Sequence, residues 1–275
     1  MADRRTGTHG FVQSPRARAG TNGILRLIAA SISAAILVIQ LPALLEAFSA
    51  PDFNGFAGID YQLYMEATRR WLEGGSFYEP HQQAWPYLIR HGDVLYPPVA
   101  LVLFVPFTVL PAALWWAIPI ATTIVVLVWL RPSAVVWPLM AACVGWQPAH
   151  IHIISGNPTL WVTAAVALGT IFRWPSVLVL IKPSMFVFAF IGARDRTWWI
   201  GLTVFLAVCA LFLPMWLDWF TVLLNARGGG LFYSWQEATM PLLPIIAWLG
   251  RPRGRYGHGD RRTGASLPAE VQVAQ

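Results

Sequence analysis

Charge is scarce in this chain, and that scarcity decides its class before any motif is read. Only 12% of its 275 residues are Asp, Glu, Lys or Arg, against 56% hydrophobic, where a soluble domain carries about 25% charged residues. The deficit is local. From Pro97 to Phe172 the only charged residue is Arg131, while Leu27 to Leu45 and Thr197 to Leu217 carry none. Each stretch is about as long as the ~20 residues that cross a hydrocarbon core of roughly 30 Å. Cysteine is nearly absent as well. Cys143 and Cys209 both lie in apolar runs, which excludes a disulfide framework or a cysteine metal cluster and makes them small core residues. No repeat of fixed period is present. What these absences leave is an all-α polytopic membrane protein, with about seven transmembrane helices.

The charge that is present lies at the margins. The net charge is +6, and Arg4, Arg5, Arg16, Arg18 and Arg26 precede or open the first apolar run, while Arg251, Arg253, Arg255, Arg261 and Arg262 follow the last. Flanks of this kind hold short segments in the cytoplasm. A nucleic-acid surface would interleave basic residues with aromatics on a folded face, so a nucleic-acid partner is excluded. The expected layout is a disordered basic segment over 1–23, a membrane domain over 24–249 and a disordered polar tail over 250–275. The first apolar run is too long for the core of a signal peptide and is read as a span. This places the protein in the plasma membrane with several passes.

Residues 48–95 form a long loop expected on the extracytoplasmic face. They hold Asp52, Asp60, Glu66, Arg69, Arg70, Glu73, Glu79, Arg90 and Asp93, so the loop is either wet or buried in protein. Within it Tyr61, Tyr64, Met65, Thr68, Trp71 and Leu72 recur at helical spacing, with Glu66, Arg69, Arg70 and Glu73 largely off that stripe. The pattern predicts a short helix lying along the membrane surface with its aromatic face in the lipid. Asp60 opens it, where a carboxylate either caps the helix or acts as a base. Asp52 is the alternative carboxylate.

Later apolar segments carry isolated polar groups. Val99 to Leu110 is short for a span and reads as a half-helix; Ala112 to Leu130 is a full one. Lys182-Pro183 sits in the middle of Pro175 to Ala193, which is either one span with a buried lysine or a hairpin turning at Lys182. An intramembrane lysine costs roughly 2.5–3.5 kcal/mol on insertion scales and has a partner or a role, unless it snorkels to the interface. A lipid phosphate would suit it, as it would Arg69, Arg70 and Arg90. His150 and His152 share a face only in an extended segment; with Asn157 they make a polar turn able to touch sugar or phosphate, but not a zinc site. Trp85, Tyr87 and Tyr96 fit an interfacial belt better than a sugar platform. Trp198 to Leu217 is read as one span, and Met240 to Leu249 as a truncated stub.

Several of these pieces, in order, resemble glycosyltransferase family 87, the polyprenol-phosphate-mannose-dependent mannosyltransferases with a C-type glycosyltransferase fold. They are Asp60 and Tyr64 leading to Trp71–Tyr78, the Tyr96-Pro97-Pro98 entry to a helix ending at Pro111, Gly156-Asn157 before a span, and Lys182-Pro183. The resemblance covers roughly residues 24–220. It implies Asp60 as general base; on a lipid-phosphate donor, Lys182, Arg69, Arg70 and Arg90 are the candidate holders of the phosphate, and Tyr64, Tyr96, His152 and Asn157 the candidates to line the substrate. It further implies inverting transfer of a hexose, mannose before arabinose, from polyprenyl phosphate to a glycolipid or glycan acceptor, with no metal or cofactor. Family members continue through further spans beyond the region matching Asp218. A stub and an Arg-rich tail stand there in this chain, which implies a reduced member, a non-catalytic relative that binds or transports lipid-linked sugar, or one completed by a protein partner.

Overall fold

Long apolar runs can satisfy their backbone away from water only as helices, and most of the chain is helical. The computed structural model describes residues 15–49, 57–90, 92–227 and 235–252. Asp52, residues 1–14 and the tail from 253 lie outside them. Helix α1 (Pro15–Ser49) starts with proline at its first turn, ahead of the expected boundary at Ile24. The loop helix α2 (Ile59–Leu72) is followed by the short α3 (Pro80–Ala84) and then by α4 (Leu101–Phe107). Helices α5 (Ala113–Leu130), α6 (Trp137–Gly145), α7 (Gln147–Ser155) and α8 (Thr159–Phe172) come next. Two 3₁₀ arms, Trp174–Ile181 and Pro183–Gly192, lead to α9 (Arg196–Ala210), α10 (Leu213–Asn225) and α11 (Thr239–Leu249). The described residues hold one two-residue parallel pairing, β1 (Tyr87–Leu88) with β2 (Ala226–Arg227), in register Tyr87 to Ala226.

Among the described residues two helices are long and apolar enough to cross a membrane, within α1 over Gly23–Pro42 and α5 over Ala113–Leu130; there are four if two bent pairs each count as one span. Seven such helices are not found there, because several apolar runs are interrupted. Helices α7 and α8 meet at 107° across Gly156-Asn157-Pro158. Gly156 takes a left-handed φ of 74°, and a Cβ there would lie 2.6 Å from the Trp116 ring and 2.9 Å from Tyr61 Cβ. Only glycine fits that turn. The run read as one span from Trp198 to Leu217 breaks by 90° between α9 and α10, just ahead of Pro214.

The Lys182 segment is a hairpin. Its two arms are 3₁₀ helices of 8 and 10 residues, roughly 16 and 20 Å long at about 2.0 Å per residue, each too short to cross alone. Ser176 Oγ donates to Ala189 O at 2.8 Å, tying one arm to the other. The Trp174–Ile181 arm packs on α8 so closely that a Cβ on Gly169 would meet Ser176 Cβ at 2.7 Å.

The loop helix departs from its expected place. Its stripe does not face lipid: Tyr64, Met65, Ala67 and Thr68 are buried, and Tyr61 and Trp71 are half-buried. Tyr64 stacks on Phe104 with ring centres 5.0 Å apart, and Tyr61 lies against Trp115 and Trp116. The segment from Tyr96 to Trp116 supplies aromatic surface of its own, so protein covers the stripe that composition alone assigns to the interface. Trp115 is fully buried at the centre of this cluster and donates from Nε1 to Gly156 O at 2.7 Å. Trp115→Ala removes both the packing and that bond, and is expected to destabilise the protein by about 3–5 kcal/mol. Thermal unfolding of the purified chain in detergent would measure it, and an unchanged Tm would refute this role.

Candidate functional site

The turn after α7 and the start of α2 are joined first by backbone. Gly58, in a left-handed conformation with φ 73°, is the residue before α2, and its N–H donates to Ile154 O at 2.9 Å. This puts Asp60, in the first turn of α2, beside the Gly156 turn. Its carboxylate does not cap its own helix. Oδ2 accepts from Ser155 Oγ at 2.8 Å and from Asn157 Nδ2 at 2.9 Å. Oδ1 has no hydrogen bond among the described residues, and Asp60 is half-buried.

Asn157 connects this carboxylate to a buried cation. Its amide donors face Asp60, while Oδ1 accepts from Lys182 Nζ at 3.0 Å and from Thr159 N at 3.0 Å. The opposite amide orientation would set oxygen against carboxylate and N–H against ammonium, so both charges fix this one. Lys182 is 2% exposed and does not snorkel. Its ammonium has three donors, and three acceptors surround it: Asn157 Oδ1, Thr159 Oγ1 at 2.7 Å, and Glu237 Oε2 in a very short contact. Tyr96 lies with its ring centre 5.7 Å from Nζ.

Glu237 completes the network. It sits on the 3₁₀ turn Trp235–Ala238 just before α11 and is 3% exposed. Its Oε2 also meets Thr159 Oγ1, and Oε1 lies 3.7 Å from His152 Nε2. Burial alone would raise the Glu237 carboxyl; the charges of Lys182 and His152, with hydrogen bonds from Lys182 and Thr159, outweigh it and hold the group below its ordinary value. His152 Nδ1 is buried with no hydrogen-bond partner among the described residues. Because α7 is helical, His150 and His152 do not share a face, and only His152 reaches this cluster.

Asp60, Asn157, Lys182, His152 and Tyr96 are thus gathered in one place. Tyr64 lies next door, its ring 5.0 Å from that of Tyr96. The three arginines stand apart from this network. Arg70 is committed to Glu79 at 2.5 Å and to the carbonyls of Ser76 and Phe77. Arg69 is exposed, with Nη2 3.5 Å from Thr108 O, and Arg90 lines a separate cleft in the loop. Sequence reading missed Ser155 and Glu237. Ser155 directly precedes the Gly156 turn. For Glu237 a signal existed: between Asp218 and Asp260 it is the only carboxylate in the chain, and a buried lysine requires one. No group of three or more His, Cys, Asp or Glu among the described residues could hold a metal ion.

The charged ends of the helices give the site a side. Trp115, at the start of α5, bonds Gly156, and Leu130, at its end, packs with Ala167 of α8. The two helices therefore run the same way and end at Arg131 and Arg173. Arg173 and Arg251 both lie over the Trp248 ring, at 5.5 and 5.2 Å. The Asp60 network is at the opposite end.

Two predictions follow from the buried pair. Removing one partner strands the other, so Lys182→Met or Glu237→Leu alone is expected to cost about 3–5 kcal/mol, and the double variant much less than their sum; denaturation of the four proteins in detergent measures the coupling, and simple additivity would deny it. Second, a carboxyl depressed by folding stabilises fully above its ordinary pKa of about 4.3, and that contribution is lost as pH falls through the lower, folded value. The Tm of the native chain should decline more steeply in acid than that of Glu237→Gln.

Compared with protein-family models, curated proteins and solved structures, the chain matches none.

Proposed function

We propose that this chain is a multi-pass membrane glycosyltransferase. It moves a hexose, mannose first, from a polyprenyl phosphate donor to a hydroxyl of a glycolipid or glycan acceptor on the extracytoplasmic side. The observation carrying this reading is the Asp60 carboxylate, whose Oδ2 is held by two donors from another element while Oδ1 has no partner among the described residues. A base needs this combination of fixed position and an oxygen free to take a proton. The arginine-rich far end supports the orientation, because basic ends stay in the cytoplasm. The resemblance to glycosyltransferase family 87 supports the same residue.

In the reaction the acceptor hydroxyl gives its proton to Asp60 Oδ1 as its oxygen attacks the anomeric carbon. The bond from that carbon to the lipid phosphate breaks on the opposite face, so the configuration inverts. The phosphate leaves as an anion and needs no nucleotide or metal to do so. Asn157 holds Asp60 in place and links it through its amide to Lys182.

A second reading has one observation in its favour. All three donors of Lys182 already have protein acceptors, so among the described residues no buried cation is free to receive a departing phosphate. On that reading the chain binds or transports lipid-linked sugar without chemistry. Membranes carrying the native chain or Asp60→Asn, supplied with polyprenyl-phosphomannose and a lipid acceptor, separate the two. Transfer is expected from the native chain and should fall by about 10²–10⁴ in the variant at equal protein level. Retention of donor without transfer by either chain would establish the second reading.

A further inference from the structure

The loop between α2 and α4 contains a second structured site, bonded to no member of the Asp60 network. It is a cleft of about 620 Å³, within the roughly 300–1,000 Å³ typical of small-ligand sites. Glu79, His81, Trp85, Arg90 and Asp93 line it. Its floor is fixed by buried groups. Gln82, fully buried, donates to Tyr87 Oη at 3.1 Å and to Val94 O at 3.2 Å, and Tyr87 in turn donates to Val222 O at 3.3 Å. Asn225 bonds the carbonyls of Gln82 and Gln83, and β1 pairs with β2. The loop is thereby fastened to α10 from beneath.

Three groups on this floor have unused binding capacity. Asp93 is nearly buried; its Oδ2 accepts from Arg90 N at 2.6 Å and its Oδ1 lies 2.9 Å from His81 Nε2. The His81 ring also stands edge-on to Tyr87, 5.5 Å between centres. Since Nε2 is committed to the carboxylate, Nδ1 is the nitrogen left to address a ligand. The Arg90 guanidinium is exposed and has no hydrogen-bond or ion-pair partner among the described residues. Trp85 is 65% exposed, an unusual setting for so large a ring beside charged side chains.

We propose that this cleft binds the saccharide portion of the acceptor, two or three rings of a neutral glycan. A sugar presents a flat C–H face and a dense rim of hydroxyls, each able to donate and accept. Trp85 offers the flat apolar surface for the first. Arg90 supplies a planar fork of donors, and His81 Nδ1 a further hydrogen-bonding atom, for the second. That the bound saccharide is the acceptor rests on the transferase reading; that the cleft binds saccharide does not.

The test uses the full chain in phosphatidylcholine–phosphatidylglycerol nanodiscs with no donor present, so failure of transfer cannot mask the result. Saturation-transfer NMR is recorded with mannotriose, maltotriose and galactotriose, and hydroxyl-radical footprinting follows the peptide that carries Trp85. At least one trisaccharide is expected to bind the native chain with a Kd near 1 mM and to lower oxidation at Trp85. Trp85→Ala should weaken binding by about tenfold or more and Arg90→Gln by less. Absence of saturable binding with all three sugars overturns the proposal, as does binding undiminished by Trp85→Ala. So does Trp85 being shielded by the bilayer and indifferent to sugar, which would make it a lipid anchor.

Discussion

Lys182 stands at the turn of an apolar hairpin, almost wholly out of water, and an ammonium so placed must have its charge and its three N–H groups satisfied by protein. That requirement reaches across the whole chain. It calls Glu237 in from the segment before α11, orients the Asn157 amide, and through that amide orders the Asp60 carboxylate on the loop helix. Four distant parts of the sequence converge because a desolvated charge tolerates no vacancy among its partners. Hydrophobic burial holds the helices together, but it would be indifferent to a small rotation of any of them. The ionic network is not.

The interrupted helices serve the same end. A continuous α7–α8 would set Asn157 about 200° around its surface from both Ser155 and Thr159. The break at Gly156 and Pro158 gathers them on one side of a bend instead. Exposed backbone at such a bend is tolerable where protein satisfies it. Here Gly156 O receives the Trp115 indole, Ile153 O the Trp116 indole and Ile154 O the Gly58 amide. Tryptophans that would serve elsewhere as lipid anchors are used on the inside, as donors closing a turn.

Much of this was legible from residue order alone, for reasons that are local. Uncharged length marks α5 to within one residue of its observed start, and helical spacing from Tyr61 to Leu72 marks α2. Lys182-Pro183 offers the hairpin turn as one of two readings, and Gly156-Asn157-Pro158 marks the bend. The surroundings of the stripe on α2 were not legible, because an aromatic face packs equally well against lipid or against Phe104 and Tyr96. The bend between α9 and α10 falls in a run without a single charge, where composition still reads as membrane. Glu237 was missed for a different reason: short apolar helices resemble remnants when judged by length, although α11 packs against α8 and brings the carboxylate with it. Pair formation between residues 55 apart is a tertiary fact.

That separation has a temporal side. Lys182 emerges from the ribosome well ahead of the carboxylate that neutralises it. At about 5–20 residues per second, 55 residues take roughly 3–11 s, during which the ammonium has no permanent counter-ion. The hairpin and α11 are thus joined by an ion pair that can form only once both have been made.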